Sequence, residues 1–149
     1  MKKLLLTCFL TATLSILFGT YIFSSYKKSI ENIINASLIN EKVYMLLYGS
    51  YNSKEKVDKL TLSNYILENE NGFYKVYVGV NLSLENANKI KEIYKEKGNI
   101  IYIREKNISS LKFIDYLQSN DIDFNNLDKE EILSIENNII NKYKEIFNE

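Results

Sequence analysis

Residues 44–53 read YMLLYGSYNS, and residues 74–83 read YKVYVGVNLS. Laying Gly49 on Gly79 puts Tyr44 on Tyr74, Leu46 on Val76, Tyr48 on Val78 and Ser53 on Ser83. The register continues downstream, where Glu55 meets Glu85, Lys59 meets Lys89 and Leu60 meets Ile90. A chain that writes one strand–glycine–serine–helix phrase twice is building two similar halves.

The segments around the repeat fill in those halves. VYMLLYGSY, from Val43, has the β-branched and aromatic content of a strand, with Gly49 marking a bulge or a close backbone approach. Ser53 and Ser83 each stand where an N-cap belongs, followed by Glu55 and Glu85 at the positive end of a helix dipole. Val57 and Leu60 give the first helix its buried side; Ala87, Ile90, Ile93 and Tyr94 do so for the second, which Gly98 ends. Between them NYILE (64–68) and FYKVYVGV (73–80) flank Asn71-Gly72, a pair suited to the positive φ angles of a type I′ hairpin. NIIYIRE (99–105) is the last strand. Residues 43–105 are therefore expected to form an α+β, ferredoxin-like βαββαβ unit: a four-stranded antiparallel sheet with two helices on one face.

The flanks differ in texture. After Met-Lys-Lys come about twenty residues without a charge, enough as a helix to cross a bilayer core of roughly 30 Å. A cleaved signal peptide would need a small-x-small site, which YIFSSY (21–26) lacks, and LLTC at Cys8 is a poor lipoprotein box. The expectation is a short cytoplasmic N-terminus and a retained anchor over 1–26, contacting the membrane through 4–23. Lys2 and Lys3 on one side and Lys27 and Lys28 on the other leave orientation undecided by charge. Residues 27–42 read as a juxtamembrane linker and 106–149 as a helical C-terminal extension. In that extension Ile132, Ile135, Ile139, Tyr143 and Ile146 form a stripe that must be buried on the sheet, the linker or another chain.

Composition narrows the chemistry. Lys+Arg and Asp+Glu number 19 each, so no net field draws the chain to nucleic acid. There is no His and a single Cys, within the apolar segment. That removes Ser-His and Cys-His dyads, the usual zinc ligands and an intramolecular disulfide. The sequence names no catalytic residue, metal or cofactor, and a non-enzymatic role is expected.

With the two phrases in place, the chain over 43–105 resembles the SPOR (sporulation-related repeat) domain family. Leu46, Tyr48, Gly49, Ser50, Tyr51 and Ser53 match that family's first half; Tyr74, Val76, Val78, Gly79 and Ser83 match its second. Leu47 stands in place of the family's usual Gln, and Lys75 and Tyr77 in place of two Arg. The resemblance implies peptidoglycan binding, chiefly to glycan strands lacking stem peptides, on the sheet face away from the helices. It also implies an extracytoplasmic domain on a single-pass membrane protein, at division or sporulation sites.

Strand alternation assigns that face. Leu46, Tyr48, Val76, Val78, Ile101 and Ile103 point to the helices. Met45, Leu47, Lys75, Tyr77, Tyr102 and Arg104 point away and are the candidate ligand-binding residues. An apolar, aromatic face with two cations is too apolar for a purely solvated surface. Three occupants fit it: a glycan stacked on tyrosines; an envelope protein partner or the chain's own C-terminal helices; or single-stranded RNA, which neutral charge and an anchor disfavour.

Overall fold

The computed structural model describes residues 18–26 and 40–147. The chain divides into two units, 1–38 and 39–149. In the first, residues 18–26 are helical (α1), with Phe18, Tyr21, Ile22, Phe23 and Tyr26 exposed. No helix among the described residues is long and apolar enough to cross a membrane; most of the expected anchor lies outside them.

The second unit is an α+β fold. Its elements are β1 (Glu41–Tyr51), α2 (Lys54–Val57), β2 (Ile66–Glu70), β3 (Phe73–Asn81), α3 (Leu84–Glu96), β4 (Tyr102–Ile108), α4 (Leu111–Ser119), a 3-10 turn (Phe124–Asn126) and α5 (Lys129–Phe147). The four strands form an antiparallel sheet in the order β2-β3-β1-β4.

The sequence repeat is expressed in the central ladder. Tyr44 pairs with Asn81 and Tyr51 with Tyr74; Met45 pairs with Val80 and Ser50 with Lys75. A shift of 30 positions exchanges the members of each set, and Leu47 pairs with Tyr77, its own image under that shift. A local pseudo-twofold thus passes through the Leu47–Tyr77 pair. On either side of it the register slips, so that each strand carries an extra residue beside its glycine, a β-bulge. Gly49 and Gly79 sit at these equivalent bulges.

The helices do not follow the repeat. α2 is a single turn of four residues, whereas α3 runs for 13. Ser83 caps α3 through Asn86 N at 3.3 Å, but the Ser53 side chain makes no such cap. Its hydroxyl instead meets the Glu55 carboxylate and helps hold that pKa low, after the larger effect of Glu55's own backbone. Asn71 and Gly72 have φ of 53° and 79°, as the type I′ hairpin requires. Gly98, at φ 79°, ends α3.

Two strand boundaries move for identifiable reasons. β2 begins at Ile66 because the Asn64 amide is engaged by α5, donating to Asn141 Oδ1 at 2.9 Å and accepting from Lys144 Nζ at 2.6 Å. β4 begins at Tyr102 because Asn99 is used to terminate α3, its N–H donating to Tyr94 O at 2.9 Å.

The core lies on both sides of the sheet. On one, Leu46, Val78 and Ile101 pack with Ala87, Ile90 and Ile93 of α3, with Tyr44, Tyr48 and Ile103 partly buried around them. On the other, Val43, Met45, Leu47, Tyr77 and Val80 pack against Phe113, Ile114 and Leu117 of α4 and Ile139, Ile140 and Tyr143 of α5. The inward residues of β1 and β4 and Val78 follow the sequence reading; Val76 is fully buried but joins neither cluster. The C-terminal helices are an integral layer.

Candidate functional site

The face expected to bind a ligand is the one that α4 and α5 cover. Met45 is 0% exposed, Leu47 5% and Tyr77 4%. Phe113, Tyr143 and Phe147 form an aromatic group over this side, with Phe113 edge-on to Tyr143 at 5.3 Å between centroids. The expectation of an open face at Met45, Leu47 and Tyr77 is therefore corrected. The physical reason is the α5 stripe itself: Ile139, Tyr143 and Ile146 pack on the apolar side of β1 and β3, while Ile132 joins the cluster around α3.

The three remaining candidates stay at the margin. Lys75 is half-buried and ion-paired with Glu70. Tyr102 is 61% exposed and pairs in the ladder with Leu47; Arg104 is exposed and pairs with Met45. Sheet pairing thus brings all but Lys75 into adjacent rows, while the helices divide buried members from exposed ones.

A polar cluster borders this layer. Glu68 Oε1 accepts from Lys106 Nζ at 2.5 Å and from Tyr143 Oη at 2.6 Å, linking β2, β4 and α5. Burial raises the Tyr143 pKa, and the Glu68 contact raises it further. Tyr77 is raised mainly by burial and then by Glu68, with Arg104 acting in the opposite direction. Both phenols are therefore neutral at ordinary pH. Among the described residues, no three His, Cys, Asp or Glu side chains stand where they could hold a metal ion.

Among the described residues, the buried polar side chains absent from the sequence reading are Asn81, Asn86 and Glu136, the last only 1% exposed. β2 pairs with β3 only along Phe73–Tyr77, leaving the following β3 backbone without a strand on that side. α5 fills the gap. Glu136 Oε2 accepts from Val80 N at 3.1 Å and Oε1 from Asn81 Nδ2 at 2.8 Å. Burial pushes the carboxyl up to about 8 despite these two stabilising hydrogen bonds. Tyr94 on α3 is raised to about 12, mainly by burial, then by Glu136 and by Tyr48 on β1. Glu136 could have been noticed in the sequence as an acid among the apolar positions Ile132, Ile135, Ile139 and Ile140.

A shallow groove of about 440 Å³ runs between α3 and the start of α5, floored by Ile93, Phe124, Leu127 and Ile132. Glu85, expected as a dipole partner, sits in the first turn of α3 and also accepts from Asn125 Nδ2 at 2.8 Å. No family model, curated protein or solved structure matches the chain.

Proposed function

We propose that this chain is a non-enzymatic, membrane-tethered interaction and assembly module of a bacterial cell envelope. The observation that carries the reading is the burial of Met45, Leu47 and Tyr77 beneath the chain's own C-terminal helices. A glycan cannot stack on a ring already packed in a core, so the sheet face serves stability and contacts are left to the rim and edges. The strand order, with α2 and α3 as the two crossovers, supports a ferredoxin-like βαββαβ reading. The anchor remains an inference from sequence, as does the extracytoplasmic, single-pass placement.

Peptidoglycan binding of the SPOR type is the second reading. It is favoured by Tyr102 and Arg104, an aromatic ring and a cation still exposed on the margin of the relevant face. The test is to pellet full-length protein in detergent with cell-wall sacculi, intact or amidase-treated. Under the interaction-module reading it stays in the supernatant with both. Pelleting that increases after amidase treatment and is lost in Tyr102→Ala/Arg104→Ala would move the assignment to wall binding.

A further inference from the structure

The sheet has two edges, and the protein treats them differently. Where β2 stops short, Glu136 supplies an acceptor to the β3 backbone at Val80. Among the described residues, β4 has no such cover. It pairs with β1 on one side and is the last strand of the sheet. Among the described residues, no hydrogen bond reaches the outward backbone of Tyr102–Asn107. Ile100, two residues before this strand, is 72% exposed, and Tyr102, its first residue, is 61% exposed. An accessible row of unpaired N–H and C=O groups beside exposed apolar side chains is a template for strand addition.

We infer that β4 pairs antiparallel with β4 of a second copy of this chain, centred on Ile103. This goes beyond the reading above and holds whether or not the protein meets glycan. A twofold axis normal to the sheet preserves its two faces, so symmetric pairing must be centred on a residue. Centring on Glu105 sets Glu105 against Glu105 and Arg104 against Lys106. Centring on Arg104 sets Arg104 against itself. Like charges directly opposite oppose pairing. Centring on Ile103 sets Ile103 against Ile103, Tyr102 opposite Arg104 on both sides of the axis, Ile101 opposite Glu105 and Ile100 opposite Lys106. That register places no like charges opposite one another and covers both exposed apolar residues. It also gives Arg104, which has no ion-pair partner among the described residues, the face of a tyrosine ring.

The experiment uses the full-length chain with Cys8→Ser, in detergent. Light scattering should give a protein mass twice the 17.4 kDa of one chain. Mild oxidation should cross-link Ile103→Cys into a dimer and leave Glu105→Cys as a monomer. Tyr102→Lys, an exposed change that places a second cation opposite Arg104, should weaken association at least tenfold without altering the circular dichroism spectrum. A monomeric mass overturns the inference. So does a dimer that cross-links at 105 instead of 103, or one that ignores Tyr102→Lys, since association would then run through another surface.

Discussion

Glu136 lies against the backbone of Gly79 so closely that a Cβ there would come within 2.6 Å of its Oε2 and 2.8 Å of Leu46 Cδ1. The glycine is what lets α5 approach β3.

Gly79→Ala should therefore destabilise the domain by about 1–3 kcal/mol, as overpacking does, because Glu136 is tethered by two hydrogen bonds and Leu46 is fully buried. At the equivalent bulge, the three atoms nearest a Cβ on Gly49 would all belong to the Tyr51 side chain, at 2.7–2.9 Å, and that side chain is half-buried rather than tethered in the core. Gly49→Ala should cost less, and Tyr51→Ala should relieve it. Urea denaturation of Gly79→Ala, Gly49→Ala, Tyr51→Ala and the Gly49→Ala/Tyr51→Ala double variant checks both statements; equal losses at the two glycines would contradict them.

Stability should fall as pH rises through the neutral range. Glu136 has an ordinary value of 4.5 and is pushed up to about 8 in the folded protein, so the folded state holds an extra proton between those values. The contribution of this group is complete below about pH 4.5 and is lost as pH climbs through 8, with a slope approaching about 1.4 kcal/mol per unit. Glu136→Gln keeps an acceptor for Val80 N and allows the Asn81 amide to turn and accept. It should flatten the profile between pH 5 and 8 and be the more stable protein at pH 8. Parallel profiles for both proteins would show that Glu136 is ionised throughout.

Leu47→Gln separates a covered face from an open one. At 5% exposure under α4 and α5, the amide would be buried without partners, costing about 1–3 kcal/mol. Tyr77→Ala should cost about 3–5 kcal/mol as a large-to-small change in the same core. Thermal melts report both, and an unchanged melting temperature in both variants would mean that the helices do not cover this face in solution.

Tyr143→Phe removes one donor to Glu68 but leaves the edge-on ring contact with Phe113 and the Lys106 contact in place. The expected loss is about 1–2 kcal/mol. The same loss in a Glu68→Gln background would show that the hydroxyl and that carboxylate are not coupled.

The sheet was legible because its signals are local. Asn71-Gly72, Gly98 and Ser83 each impose a particular backbone geometry, and the repeat predicts a ladder that is its own image. The covered face was legible in retrospect. YMLLY is apolar on both parities, the signature of a strand buried on both sides, and the α5 stripe needed a surface of matching length. What could not be read was how the two meet, because that depends on where β2 stops. Asn64 decides this by bonding to α5 residues far along the chain. Ser53 misled for the opposite reason: a good cap residue stands before a helix one turn long.

The position of α5 also governs how the protein comes into being. β1, the earliest described strand, pairs with β3 and β4, both made later, and one side of it is sealed only by helices made after every strand. Contacts between such distant segments form slowly. A nascent chain arrested before Leu111 would present Met45, Leu47 and Tyr77 to chaperones and proteases as a greasy patch. The finished molecule hides this patch beneath α4 and α5.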